Sequence, residues 1–225
     1  MSANVQHQNF VKKRRDNTLM QMAYNELRES IISNSIQPGD VLSEQQIAQQ
    51  LNISRTPVRE ALAILESEGL IEIRRGIGAF VKPLSYKDIS NIFEVRRPLE
   101  ALAVKSAIYH ITSEDIQDMR DRFNDLLARY ERNERVEVRE FSELDFAFHD
   151  LIIERCENPY VRRFMHTINS NVRRLQVMFR TIHDPKDAIR QHLQLLQLIE
   201  NRDLEALEAE LDNQLDVAMR SFINV

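Results

Sequence analysis

Residues 43–70, SEQQIAQQLNISRTPVREALAILESEGL, decide the fold of this 225-residue chain. Ser43 is a good N-cap and Gln46, three residues on, is placed to return the bond as a capping box, so a helix runs through Ile47 and Ala48 to about Gln50. Leu51, Asn52 and Ile53 make a turn. Ser54 caps a second helix, which tolerates Pro57 because the amides of a first helical turn have no intrahelical acceptor. Val58, Ala61, Leu62 and Leu65 recur at helical spacing and predict one inward face. Gly69 ends that helix.

The outward side of the second helix carries Ser54, Arg55, Thr56 and Arg59 in its first turn and a half. Hydroxyls and helix-terminal amides fit phosphate oxygens, and an arginine there reaches a guanine edge with two parallel hydrogen bonds. This is the build of a recognition helix. Next come two short β-rich runs, LIEIRRGIGAFV at 70–81, around a turn containing Gly76 and Gly78 with Arg74 and Arg75 at its tip. A basic hairpin after a helix-turn-helix is a wing.

The longer stretch PGDVLSEQQIAQQLNISRTPVREALAILESEGLI resembles the winged-helix signature of GntR-type bacterial transcription regulators, over roughly residues 18–82. The resemblance implies that Ser54, Arg55, Thr56, Pro57 and Arg59, with Arg75 and Gly76 in the wing, lie against double-stranded operator DNA. Gln45 stands where some members carry an arginine.

Four glycines and six prolines leave little room for a sheet-rich fold, so the chain is expected to be mostly helix. The single Cys156 excludes a disulfide framework within one chain and offers no zinc-finger pairing, which fits a reducing cytoplasm. The N-terminal basic run Lys12 to Arg15 has no apolar stretch after it, so it reads as neither signal peptide nor membrane anchor, and no segment approaches the length of a membrane span. That run is either a flexible DNA-binding arm or a solvated tail. The net charge of −5 argues at first against nucleic acid, but its distribution reverses the argument. Residues 1–83 hold 10 Lys and Arg against 9 Asp and Glu, while the remainder holds 20 against 26. Arginines gathered on one helix and one wing neutralise phosphates locally, and acidic surfaces elsewhere limit non-specific adhesion.

Before this unit, Leu19, Met22, Ala23, Leu27 and Ile31 predict an amphipathic helix over about 17–33. After it, Pro83 ends the last strand and Ser85 opens a helix with Asp88 at the capping-box position. The chain is therefore divided into a winged helix-turn-helix domain at 1–83 and an all-helical domain at 84–225, joined by a link short enough to transmit orientation. Helices are expected at about 85–110 with a break or kink at Pro98, then 113–133, 136–156, 159–180, 185–201 and 203–223, forming an antiparallel bundle.

Asp145 and His149, in ELDFAFHDLI, are four apart and share a helix face. A carboxylate and an imidazole projecting together are two adjacent ligands for a divalent metal, or simply a hydrogen-bonded pair. His192 sits on another helix among apolar neighbours. Arg96 can meet a carboxylate bidentately or pair with Glu100 one turn on. Arg173 and Arg174 face either a cavity or solvent, while Met165, Met178 and Phe179 read as core.

VRRPLEALAVKSA at 95–107, ELDFAFHDLI at 143–152, ENPYV at 157–161 and QHLQLLQLIENRDLEALEAEL at 191–211 together resemble the FCD effector domain of FadR-type GntR regulators, over roughly residues 85–222. The resemblance implies a divalent metal (zinc, nickel or manganese) held at Asp145, His149, His192 and Gln214, and an effector cavity lined by Arg96. Gln214 is the departure, since an imidazole is expected there and an amide oxygen is a poorer ligand for zinc or nickel. His166, on an intervening helix, is another imidazole. The whole reads as a cytoplasmic, homodimeric, ligand-responsive DNA-binding regulator whose effector, by resemblance, is a small organic acid. The rivals are a metal-free regulator with a purely organic pocket, and a metal-dependent hydrolase or lyase using Asp145, His149 and His192. Against the enzyme stands the lack of a nucleophile elbow, phosphate loop or HExxH.

Overall fold

The computed structural model describes residues 18–179 and 185–223. The basic run Lys12 to Arg15 lies outside them. The chain divides into two compact units, one ending at Leu84 and one beginning at Ser85.

In the first unit, α1 spans 18–32, followed by β1 (Val41–Leu42), α2 (Glu44–Gln50), α3 (Arg55–Ser67), β2 (Ile71–Arg74) and β3 (Gly78–Val81). Ser43 caps α2 by accepting from the Gln46 amide at 3.4 Å, and Asn52 takes φ 53° in the turn, a left-handed conformation that its short amide side chain tolerates. Ser54 occupies the N-cap position of α3 with extended backbone, but its hydroxyl makes no capping bond and remains exposed. Gly69, at φ 73°, turns the chain out of α3. The three strands form an antiparallel sheet in the order β1-β3-β2, with Leu42 opposite Ala79 and Ile71 opposite Val81. Leu27, Ile31, Ile47, Val58, Leu62, Leu65, Leu70 and Val81 fill the core between helices and sheet. Tyr24 donates to Glu68 at 2.7 Å, and the Ile73 amide donates to Glu66 at 2.9 Å, tying α1 and the wing to the end of α3.

The second unit is all helix: α4 (Tyr86–Ala107), α5 (Ser113–Glu131), α6 (Val138–Arg155), α7 (Pro159–Phe179), α8 (Pro185–Glu200) and α9 (Leu204–Ile223). Ser85 with Asp88, and Thr112 with Asp115, close reciprocal capping boxes on α4 and α5. The Asn158 side chain accepts from the Tyr160 and Val161 amides to start α7. A break or kink was expected at Pro98; α4 is not broken there and runs through it. Pro98 lies on the exposed side, and so does Glu94, whose carbonyl is the one a proline leaves without its amide partner. Phe123, Phe148, Ile152, Met165, Leu195, Ile199 and Leu207 belong to one continuous core.

Candidate functional site

Two surfaces carry chemistry. On the first unit, Ser54, Arg55, Thr56 and Arg59 are exposed on the first turns of α3, and Arg75 and Gly76 are exposed at the wing tip. Gly76 adopts φ 75°, which the tight β2–β3 turn requires and L side chains rarely adopt. Pro57 differs from its neighbours: it is buried with Val58, so its part is to shape the first turn from within. Arg59 is not a free cation. Its Nε and Nη2 donate to the two oxygens of Glu44, at 3.0 and 2.8 Å, which fixes the guanidinium plane and holds the Glu44 carboxyl below its ordinary value. Arg74 pairs with Glu72 and lies over the Phe80 ring, 4.9 Å from its centroid.

In the bundle, Asp145 and His149 lie on α6, His192 on α8 and Gln214 on α9. The donor atoms of Asp145, His149 and His192 lie within 4.8 Å of one another. His192 Nδ1 faces the Ala188 carbonyl at 2.7 Å and therefore carries a hydrogen. Its Nε2 sits 3.0 Å from Asp145 Oδ1 and 3.1 Å from Gln214 Nε2. His149 repeats the arrangement: Nδ1 lies 2.5 Å from Glu100 Oε1, and Nε2 lies 3.8 Å from the same Asp145 Oδ1. The other carboxylate oxygen, Oδ2, accepts from Gln176 at 3.0 Å. Two imidazole nitrogens thus converge with Asp145 Oδ1 on one point, and either protons or a cation must occupy it. Burial pushes the Asp145 carboxyl up, but His192 and His149 outweigh it and hold the group well below the usual carboxylate range. Gln214 is buried, and its Oε1 has no hydrogen-bond partner. Turning the amide over would aim that oxygen into the cluster, an exchange of nearly identical shapes. The residues present therefore fit a divalent ion with two nitrogen and two oxygen ligands.

The cluster opens on a cavity of about 300 Å³ between α6, α7, α8 and α9, lined by Ser142, Asp145, Gln176, Asp187, Gln191, His192, Gln214 and Ser221 with Phe141, Phe222 and small apolar residues. Arg96 is not part of this wall. It is buried, its Nε lies 3.0 Å from Glu100 Oε2, and its guanidinium carbon lies 5.8 Å from the Phe93 ring centroid. The Arg96 to Glu100 contact is an ion pair out of line for a hydrogen bond. His166 pairs with Glu154 at 3.1 Å, away from the cluster. Arg173 binds Asp150 and covers the Phe146 ring, while Arg174 is fully buried and burial pulls its guanidinium down to about 10.

Residues 91–216 match the family model of the FCD domain, and residues 19–81 match that of the bacterial regulatory proteins of the gntR family. The chain belongs to the GntR regulators that carry an FCD domain. Among relatives, the HTH-type transcriptional repressor RspR of Escherichia coli is 29% identical over 196 residues, 87% of this chain and 85% of that protein. The gluconate operon transcriptional repressor of Bacillus subtilis is 35% identical over 152 residues, 67% of this chain and 60% of that protein. Among solved structures, Escherichia coli McbR/YncC superimposes with a TM-score of 0.75 at 20% identity, over 92% of this chain and 97% of that one, which speaks to the fold alone. The GntR helix-turn-helix makes this chain a DNA-binding transcriptional regulator.

Three partners escaped the sequence. Glu44 lies 15 positions from Arg59, Gln176 lies 31 from Asp145, and Glu100 lies 49 from His149. Glu100 had a visible partner in Arg96 at helical spacing, but nothing in the sequence showed that its second oxygen reaches α6.

Proposed function

We propose that this regulator binds a divalent cation at Asp145, His149, His192 and Gln214, that the cation holds a small organic acid in the adjoining cavity, and that binding there changes operator affinity. The observation that carries the reading is the convergence of two imidazole Nε2 atoms on Asp145 Oδ1, each ring held by a partner at Nδ1. Such outer partners fix ring orientation at metal sites. The described wall of the cavity contains no lysine or arginine and two aspartates, so a carboxylate entering it needs a cation that the wall itself does not supply. With two imidazoles and two oxygens, water or the acid completes the shell. Manganese suits this set better than an all-imidazole site would, while zinc and nickel bind less tightly than they would with histidine at 214.

In this reading residues 1–83 read operator DNA through Ser54, Arg55, Thr56, Arg59, Arg75 and Gly76, residues 84–225 bind the effector, and the protein works in the cytoplasm as a homodimer. Support for the homodimer comes from α4, where Val95, Pro98, Leu102 and, just past its end, Tyr109 form an exposed row at alternating spacings of three, four and seven. Tyr160 and Phe164 are exposed on α7, which packs on α4. A row of that spacing is the seam by which one helix packs on another. Repression is the sense of regulation that the names of RspR and the gluconate operon repressor support. The test is a gel-shift on operator DNA with the chelated protein, then with manganese, then with manganese and a panel of hydroxy and dicarboxylic acids. An acid that shifts affinity only in the presence of metal supports the proposal; an acid effect indifferent to chelation rejects the metal's part in it.

A further inference from the structure

Glu100 belongs to α4, which supplies none of the converging donors, yet it is only 2% exposed. A carboxylate and a guanidinium buried together are often no more stable than a well-packed apolar pair in the same space, so stability alone is a weak account of their presence. One Glu100 oxygen lies 3.0 Å from Arg96 Nε, and the other 2.5 Å from His149 Nδ1. An Nδ1 facing a carboxylate carries the ring's hydrogen, which leaves the lone pair on Nε2, on the side of Asp145. His192 receives the same treatment from a carbonyl of its own helix, four residues back. The two differ in origin: the Ala188 carbonyl moves with His192, whereas Glu100 reaches His149 from another helix. Beside Glu100 on α4, Arg97 binds both Asp212 and Asp216, which flank Gln214 on α9. From this region α4 runs unbroken back to Tyr86, three residues after Pro83.

We infer that Glu100 is the positioning residue of the cation site: it fixes the His149 ring for ligation, and through it α4 is bound to the state of the site. This rests on the metal reading above for its consequence, but not for its geometry. The test uses the full chain after chelation, with manganese or zinc alone as the probe in calorimetry and with ¹⁵N imidazole spectra of the metal-free protein reading the His149 tautomer. Two variants are compared. Glu100→Gln keeps an acceptor for Nδ1, and the double variant Arg96→Leu with Glu100→Leu removes both charges so that neither is left buried alone. The parent is expected to hold His149 protonated at Nδ1. The double variant is expected to mix the tautomers and to bind metal about 10–100-fold more weakly, the usual cost of losing such a partner. Glu100→Gln is expected to keep the tautomer and still lose affinity, because a neutral amide polarises the ring less. Parental affinity in both variants overturns the inference, as does a parent whose His149 carries its hydrogen on Nε2. Should the double variant not fold, Glu100→Gln alone decides by the same two readouts. If the parent binds no metal at all, the metal reading fails, and the tautomers still settle whether Glu100 orients His149.

Discussion

Replacing Arg96 with methionine leaves the Glu100 carboxylate buried with His149 as its remaining partner. The side chains of Arg96 and Glu100 are 6% and 2% exposed, so solvent does not take over the role of the guanidinium. Removing one member of a buried ion pair costs about 3–5 kcal/mol. Methionine is long and adaptable enough to fill most of the space beside Phe93, so the loss is mainly electrostatic and little of it is a cavity cost. In urea, with a slope of about 2 kcal/mol per molar, that loss moves the midpoint down by roughly 1.5–2.5 M. Far-UV circular dichroism follows it, since the bundle supplies most of the helix. The control is Arg96→Met with Glu100→Leu, which removes both charges and is expected to recover most of that loss, short of about 1–3 kcal/mol for the His149 Nδ1 hydrogen left without its acceptor. A single variant within about 0.5 kcal/mol of the parent, or a double variant as unstable as the single one, would refute the claim that these charges depend on each other.

At the DNA surface, Arg59→Ala is expected to lose about 1–3 kcal/mol of operator affinity in gel-shift at fixed salt, and Glu44→Gln to lose part of that by freeing the guanidinium plane; no change in either removes the α3 assignment. Leu102→Glu, in the middle of the exposed row on α4, is expected to convert a dimer into a monomer at micromolar concentration by light scattering, and an unchanged dimer would place the contact on another face. Acid should act through Glu100. Burial pushes that carboxyl up, but Arg96 and His149 together outweigh it and hold it at about 2 against an ordinary 4.5. A depressed folded value gives stability that is full above about pH 4.5 and lost as pH falls toward 2. The parent should therefore lose stability in that window more steeply than the double variant Arg96→Met with Glu100→Leu, and parallel curves would contradict the assignment.

Much of the fold was legible because each element announces its own ends. Ser43, the Ser85 and Asp88 pair, and Asn158 before Pro159 mark helix starts by local hydrogen bonds, and local bonds are what a sequence displays. At Pro98 the sequence shows the missing amide but not that this side of the helix faces solvent, so it left open a break where α4 runs on. In the site, Asp145 and His149 were legible as one face of one helix, and resemblance alone joined His192 and Gln214 to them. Glu100, Gln176 and Glu44 were not legible as partners, because each acts across a tertiary contact that only packing creates. Arg96 shows the same limit: its pairing with Glu100 at helical spacing was readable, whereas its absence from the cavity wall depends on how α4 lies against its neighbours.

The cation site is tested most directly by metal content after dialysis against defined manganese, zinc and nickel buffers, measured by elemental analysis on the parent, His149→Ala and Gln214→His. One divalent ion per parent chain is expected, removable by chelation without unfolding the bundle, with none above background in His149→Ala and tighter zinc and nickel binding in Gln214→His. Equal metal content in the parent and His149→Ala would contradict this assignment, because the ion would then be held by other residues or by none.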